Sequence, residues 1–524
     1  MGSIISSPLL IPIFSVIFIF RNSAMSFLSP VFLFFLLILR SFLRRHRLPP
    51  GPTPLPLIGN MIPLIASFGH FEDQLHKWRD AYGEIFTVWI GPLPLVMVCS
   101  LSQMRRYFVD RADVFSNRWK NYVTDTFMGG HYGIVQVDGE KWREQRRYSL
   151  HLLRNFGVGR PEMEESILLE TKELISFLVS SPNPLSLSTP IAVCVGNVIN
   201  KVLFGKTFPQ GSDEMRDLHL LLDTQSSLVM HPFMGLYIAL PCTTHIPLIN
   251  RPWNKLLRQR DAFWRFLGEQ VEDHKRLFNE GNYENNFTFS YLEEMRRRQE
   301  EGVDMGSFSD WQLRMLLLDL FFAGMETTVT TLKWAFMLMA AHPEVQETVQ
   351  RELDTLDSQG DGCITLRDRR NLPYTSATIC EIQRIANILP INLLRSTASD
   401  TEEGGFFYPE GTMVIPQISV LLSDRRVWEN PKQFNPSRFL EADGVTLKRI
   451  PQFMPFSIGK RQCLGESLAR AELFLIFTNV LKSLRIEAHS GLSRYRSLGL
   501  TVSPLPYKVS VSRRKNDSNF NSLS

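Results

Sequence analysis

A chain of 524 residues, 44% of them hydrophobic, can bury a large core, and no Gly/Ser-rich or charge-rich linker divides it after residue 60. A net charge of +4 is too mild to argue for a nucleic-acid partner. Six cysteines (Cys99, Cys194, Cys242, Cys363, Cys380 and Cys463) lack CxxC or CxxxC spacing, which excludes a zinc ribbon, offers no disulfide framework and fits reduced thiols in the cytosol. In that compartment the sequons at Asn286 and Asn516 stay unglycosylated.

Two apolar stretches open the chain. Ile4–Phe20 contains Pro8 and Pro12 and ends at Arg21, and Phe27–Leu39 is followed by Arg40 and by Arg44-Arg45-His46-Arg47. About 17 helical residues reach ~26 Å, near the thickness of an endoplasmic reticulum bilayer core. One N-terminal transmembrane helix is therefore expected. The basic cluster behind it places the following domain in the cytosol. Met25 opens a complete anchor of residues 25–47, which leaves residues 1–24 as an upstream extension. Residues 48–59 carry Pro49, Pro50, Pro52, Pro54 and Pro56, which lack backbone donors and have fixed φ, so they form a stiff extended hinge segment.

The catalytic domain is expected over residues 60–514, mainly α with small β-sheets. Strands are predicted at Ile85–Trp89, Leu95–Cys99, Met413–Pro416 and Tyr507–Val511. Trp142 and Arg146, four apart, share one helix face. Trp311–Ala341 reads as a central helix buried on most sides, because its apolar residues run all round. Midway along it, Ala323-Gly324-Met325-Glu326-Thr327-Thr328 sets an acid and an alcohol inside apolar surroundings, which is unfavourable unless they are hydrogen-bonded or used. A threonine bonded back to its own turn is the plain alternative. Glu381 and Arg384 stand one helical turn apart. The tail, residues 515–524, is polar.

The most specific stretch is Phe456-Ser-Ile-Gly459-Lys-Arg461-Gln-Cys463-Leu-Gly465. Gly459 and Gly465 are expected to allow a tight turn and close approach to a flat group. A helix beginning at Leu464 would put Cys463 at its N-terminus, where the dipole lowers a thiol pKa. Ala323 and Gly324 would leave space on the opposite helix.

This stretch resembles the signature F-x-x-G-x-R-x-C-x-G of the cytochrome P450 superfamily at every fixed position, and the style of the chain resembles its microsomal, family-two-like animal members. The resemblance implies the fold of that superfamily and haem b, with Cys463 as the axial ligand of iron and Phe456 shielding the thiolate. It implies that Arg461, Trp142, Arg146, Arg118 and Arg395 hold the propionates, although many family-two members carry His where Arg395 stands. It implies that Thr327 and Glu326 serve proton delivery, and that Glu381, Arg384 and Arg438 form a structural triad, with Ser437 where the family often has an acid. NADPH would act indirectly through NADPH–cytochrome P450 reductase, with cytochrome b5 as a further partner, on an exposed basic face of Arg143, Arg147, Lys448, Arg449 and Lys460. The expected activity is monooxygenation of a small apolar lipid, steroid or xenobiotic at the endoplasmic reticulum membrane. The alternative is a reductase-independent peroxide isomerase, but such enzymes usually lose the acid–threonine pair that this chain keeps. Substrate contacts are expected in Tyr122–Tyr132, Asp223–Val229, Leu318–Phe322, Ile391–Leu394 and Ser497–Leu500.

Overall fold

The computed structural model describes Arg45 and residues 47–514, apart from 57, 68–70, 157–160, 357–361, 490, 494 and 498. The expected membrane anchor and both apolar stretches lie outside the described residues. The strands are β1 (Ile85–Ile90), β2 (Leu93–Val98), β3 (Asn117–Arg118), β4 (Arg395–Ser396), β5 (Thr401–Glu403), β6 (Phe406–Tyr408), β7 (Met413–Pro416), β8 (Leu484–Ala488) and β9 (Val509–Arg513). One five-stranded sheet has the order β1-β2-β7-β4-β3, and β5–β6 and β8–β9 are separate antiparallel pairs. Three predicted strands shift by two residues or fewer at either end, and Met413–Pro416 is as expected. At the last of them, Tyr507 precedes the pairing, and its hydroxyl donates to the Lys333 carbonyl at 2.7 Å.

The helices that frame the site are α1 (Gly139–Asn155), α2 (Ser188–Phe204), α3 (Asp213–Val229), α4 (Asp310–Ala341), α5 (Pro373–Ala386) and α6 (Glu466–Ser483). Helix α4 matches the predicted central helix. Ser309 caps it by accepting from the Gln312 N–H at 3.2 Å, and Pro343 follows its end, where helix geometry is disfavoured. It is long and apolar enough to cross a bilayer, yet most of it is sheathed by protein, including α2 and α6. At Gly196 of α2, a Cβ would overlap the Met215 side chain of α3. A missing side chain thus sets how closely α2 and α3 approach.

The proline segment is docked along β1. The Thr87 N–H donates to Pro50 O at 3.0 Å, and Asn60 Nδ2 donates to Thr53 O at 3.2 Å. A Cβ at Gly51 would overlap the Thr87 carbonyl oxygen. The segment expected as a hinge is held at several points.

Candidate active site

A cavity of about 1930 Å³ runs through the interior beside α4. Its walls include Ala323, Gly324 and Thr327 of α4, then Phe456, Cys463, Leu464 and Gly465, and the cationic group of Arg118, Arg146, Arg395 and Arg461 beside Trp142. The predicted ligand loop, arginines and helix face, distant in sequence, thus meet at one cavity.

Cys463 lies in the loop before α6. Its N–H donates to Phe456 O at 2.9 Å, and its sulfur accepts the Gly465 N–H. The helix begins at Glu466, not Leu464, with Gly465 as its N-cap residue. Burial raises the thiol pKa, opposed by the Gly465 N–H and by Arg146, so the net direction is opposite to the one expected from a helix dipole. Metal coordination, which deprotonates a thiol outright, has to make the thiolate. Gly459 has φ +78°, and a Cβ there would overlap the Phe108 carbonyl oxygen, so its close approach is to protein backbone. Gly465 lines the cavity, and a Cβ there would meet no protein atom within 4 Å.

Four arginines converge without a matching set of carboxylates. Arg118 and Arg395 are register partners across β3 and β4, where like charges normally destabilise pairing. Arg118 is held by the carbonyls of Val135 (2.9 Å), Leu393 and Leu394 (both 3.2 Å). Arg395 donates to Ile458 O at 2.7 Å, and Arg461 to Ser116 O at 2.8 Å and Val137 O at 2.6 Å. Arg146 donates to Gln462 O at 2.6 Å. The Arg461 guanidinium lies 3.9 Å from the centroid of the Trp142 ring. Burial, followed by mutual repulsion, pulls the pKa of Arg118, Arg395 and Arg461 down. A guanidinium does not deprotonate in proteins, so this repulsion is a demand for nearby anions. Among the described residues, three buried donors at this site, Trp142 Nε1, Arg395 Nη1 and Arg461 Nη1, have no protein partner.

The cytochrome P450 family model matches residues 49–511. The chain belongs to the cytochrome P450 family. It is 37% identical to cytochrome P450 2B4 of Oryctolagus cuniculus over 86% of this chain and 90% of that protein. It is 35% identical to cytochrome P450 2J5 of Mus musculus, over 91% and 93%, and 34% identical to cytochrome P450 2J2 of Homo sapiens, over 90% and 93%. The chain is a cytochrome P450 monooxygenase, and the family carries haem. The P450 residues fit that group: unpartnered donors suit a dianionic edge, and Gly465 keeps a wall flat where no protein atom requires it.

The two halves of the expected acid–alcohol pair part company. Thr327 lines the P450 cavity, and its hydroxyl donates to Ala323 O at 2.8 Å, the back-bonded alternative. Glu326 is buried off the cavity wall and accepts from Thr501 Oγ1 at 2.6 Å. Burial raises its pKa, and the Thr501 bond opposes that. At Gly324 a Cβ would lie 3.0 Å from Ile199, so this glycine serves the close crossing of α4 and α2 at least as much as the cavity. The triad assembles as expected. Arg384 binds Glu381 through Nε–Oε2 at 2.7 Å and Nη2–Oε1 at 2.8 Å, and Arg438 Nε reaches Oε1 at 3.0 Å.

Two polar residues on the cavity wall, Thr501 and Glu472, were missed, and Asp319 stood in an expected contact segment without being singled out. Thr501 stands one position beyond an expected contact segment. Glu472 of α6 is buried, accepts from Thr328 Oγ1 at 3.0 Å, and is pushed up to about 8 by burial, hence largely neutral at physiological pH. Asp319, inside an expected apolar contact segment, accepts the N–H groups of Ile134 (2.6 Å) and Val135 (2.8 Å) and so ties a loop to α4. An isolated acid in an apolar helix was the available signal for both carboxylates.

Burial raises Asp319 from 3.8 to about 6 against those bonds and Arg118. The folded chain therefore holds this proton more tightly than the unfolded one. The resulting stabilisation is complete below about pH 3.8 and fades as pH rises through about 6. Asp319→Asn keeps an acceptor for both N–H groups and should remove this pH dependence. Asp319→Ala should destabilise by on the order of 2 kcal/mol, because buried donors lose their partner. Denaturant unfolding across pH 4–7 checks both; equal stability of the alanine and asparagine variants would discount the tether.

Proposed function

We propose that this P450 takes electrons from NADPH through cytochrome P450 reductase, with cytochrome b5 as a second donor, and oxygenates small apolar lipids, steroids or xenobiotics. The observation that carries the reading is the cavity that joins the Cys463 loop to a wall rich in apolar side chains, among them Phe127, Phe322, Ile388, Leu394 and Leu500. Such a wall selects by shape and hydrophobicity, with few polar groups to fix orientation. Haem bound through a cysteine thiolate supplies the one-electron and O₂ chemistry.

The chain's own residues have separate tasks. Cys463 binds iron, and the Gly465 N–H moderates the charge on sulfur. Arg118, Trp142, Arg146, Arg395 and Arg461 hold the propionates, and Phe456 screens the sulfur from water. Thr327 holds a proton at the cavity face, and Glu326 replenishes it. Glu381, Arg384 and Arg438 brace the fold near the ligand loop. Residues 25–47 anchor the protein in the endoplasmic reticulum membrane, residues 60–514 form the catalytic domain on the cytosolic side, and residues 1–24 are dispensable.

The test is NADPH consumption and product formation by the purified protein with reductase, across a panel of apolar compounds. Product without reductase from a lipid hydroperoxide, and none with NADPH, would overturn the reading. The exposed cations Arg143, Arg147, Lys448, Arg449 and Lys460 support a docking face, which salt screens over about 10 Å at 0.1 M. Reductase-driven turnover should fall several-fold between low and high ionic strength, while peroxide-driven turnover changes little. Equal salt sensitivity of the two would remove the case for an electrostatic dock.

A further inference from the structure

Helices α3 and α4 share a polar seam within an apolar core. Helix α3 brings His219, Asp223 and Ser226, and α4 brings Glu326, Thr330 and Lys333. Each set has the spacing i, i+4, i+7, which places its members on one helix face. The turn at 499–503 closes over the inner end. Thr501 Oγ1 donates to Glu326 Oε1 at 2.6 Å and lies 3.5 Å from Ser226 Oγ. The Leu500 N–H donates to Ser226 O at 3.0 Å, and Ser503 Oγ lies 3.3 Å from Thr330 Oγ1. At the outer end, the Asp223 side chain is 41% exposed. His219 is buried, its Nε2 is 3.8 Å from the Asp223 carboxylate, and that nitrogen has no hydrogen-bond partner.

Packing alone gives no reason for this arrangement. An unpaired buried polar group costs about 1–3 kcal/mol, and apolar residues at the same positions would close the gap without that penalty. What the seam offers is a succession of groups that exchange protons, from a solvent-accessible carboxylate to a buried acid beside the cavity. We propose that it is a proton access route, in which protons arriving at Asp223, with His219 one turn behind it, pass through water to the hydroxyls of Ser226 and Thr501 and recharge Glu326. This rests on the reading of Glu326 and Thr327 given above and deepens it. Each hydroxyl gives its proton to the group ahead and takes one from the group behind. The net result is one proton moved from water to the Glu326 carboxylate, with no change of oxidation state. The route calls for a water to bridge the turn of α3 between Asp223 and Ser226.

The surroundings suit the task. Burial is the largest influence on Glu326 and His219, raising the first and lowering the second. Asp223 from α3 and Lys333 from α4 act on both in opposite senses, and the turn at 499–503 contributes no charged residue.

Infrared spectroscopy of the resting enzyme tests the route without turnover. The Glu326 carboxyl band is identified by its loss in Glu326→Gln. After transfer to D₂O its isotope shift should be rapid in the native protein and slower by roughly tenfold or more in Thr501→Val. Thr501→Ser keeps the hydroxyl and should restore the native rate. Asp223→Asn, at the exposed end, should slow exchange as well, and decides the matter if Thr501→Val does not fold. In turnover, both slow variants should show a larger solvent isotope effect on NADPH-driven product formation and an unchanged peroxide-driven rate. Native exchange rates in Thr501→Val and Asp223→Asn would overturn the route. If exchange slows but Glu326→Gln leaves coupling intact, the route exists and the role given to Glu326 in oxygen activation falls instead.

Discussion

Cys463→Ser should abolish the strongly red-shifted Soret band of the reduced, CO-bound protein and reduce reductase-driven turnover by roughly 10³-fold or more. The expectation rests on position. Cys463 is the cysteine on the cavity wall within the matched motif, and its sulfur is placed by the Gly465 N–H. A serine oxygen can accept the same N–H, so the loop should keep its shape while losing the soft, polarizable ligand. A thiolate pushes electron density onto iron in a way that a hydroxyl cannot. Cys242 is exposed, and Cys242→Ser should leave spectrum and turnover unchanged. A red-shifted band that survived in Cys463→Ser would end the assignment of the ligand. Cys99 and Cys194 are poor rivals, since both are fully buried and neither lines the cavity.

Thr327→Ala should leave folding, haem content and substrate binding near native and should uncouple electron flow from product. Thr327 and Ala323 lie one turn apart on the cavity face of α4, and the hydroxyl's bond to Ala323 O is local to the helix. Removing it takes away a single proton-bearing group from an apolar wall. Loss of a positioned proton donor typically slows its step by about 10²–10⁴-fold. NADPH should still be consumed, with most of the oxygen released as hydrogen peroxide. Turnover supported by an organic peroxide should survive far better, and Thr327→Ser should recover much of the coupling. Native product yield per NADPH in Thr327→Ala would mean that the back-bonded hydroxyl is merely part of the helix.

What could be read from the sequence divides along physical lines. The ligand loop was legible because its residues are neighbours in the chain, and α4 because an all-round apolar run of that length has few other fates. Glu381 and Arg384 were legible for the same reason, one turn apart. Arg118 and Arg395 were legible as site residues through family resemblance alone. Their direct opposition across two strands of two residues each leaves no periodic trace. The start of α6 was misplaced because Leu464 has helical propensity, whereas the next residue, Gly465, occupies the N-cap position and the helix begins at Glu466. The Gly465 N–H lowers the Cys463 thiol as the helix-terminus argument expects, but burial, which depends on every packed element, outweighs it. Gly324 shows the same limit: its missing side chain faces Ile199 of another helix. The seam of Ser226, Thr501 and Glu326 joins segments far apart in the chain, so no local pattern marks it.

The opposition of Arg118 and Arg395 bears on biosynthesis. Two guanidiniums on directly opposed residues of β3 and β4 repel each other, and bound anions would relieve that repulsion. A prosthetic group that supplies those anions would therefore stabilise the folded chain by binding it. By mass action, each tenfold rise in free haem above its dissociation constant adds about 1.4 kcal/mol to the stability of the finished protein. A cell short of haem would accumulate chains open at this corner, and proteases, with no further signal, would clear those chains first.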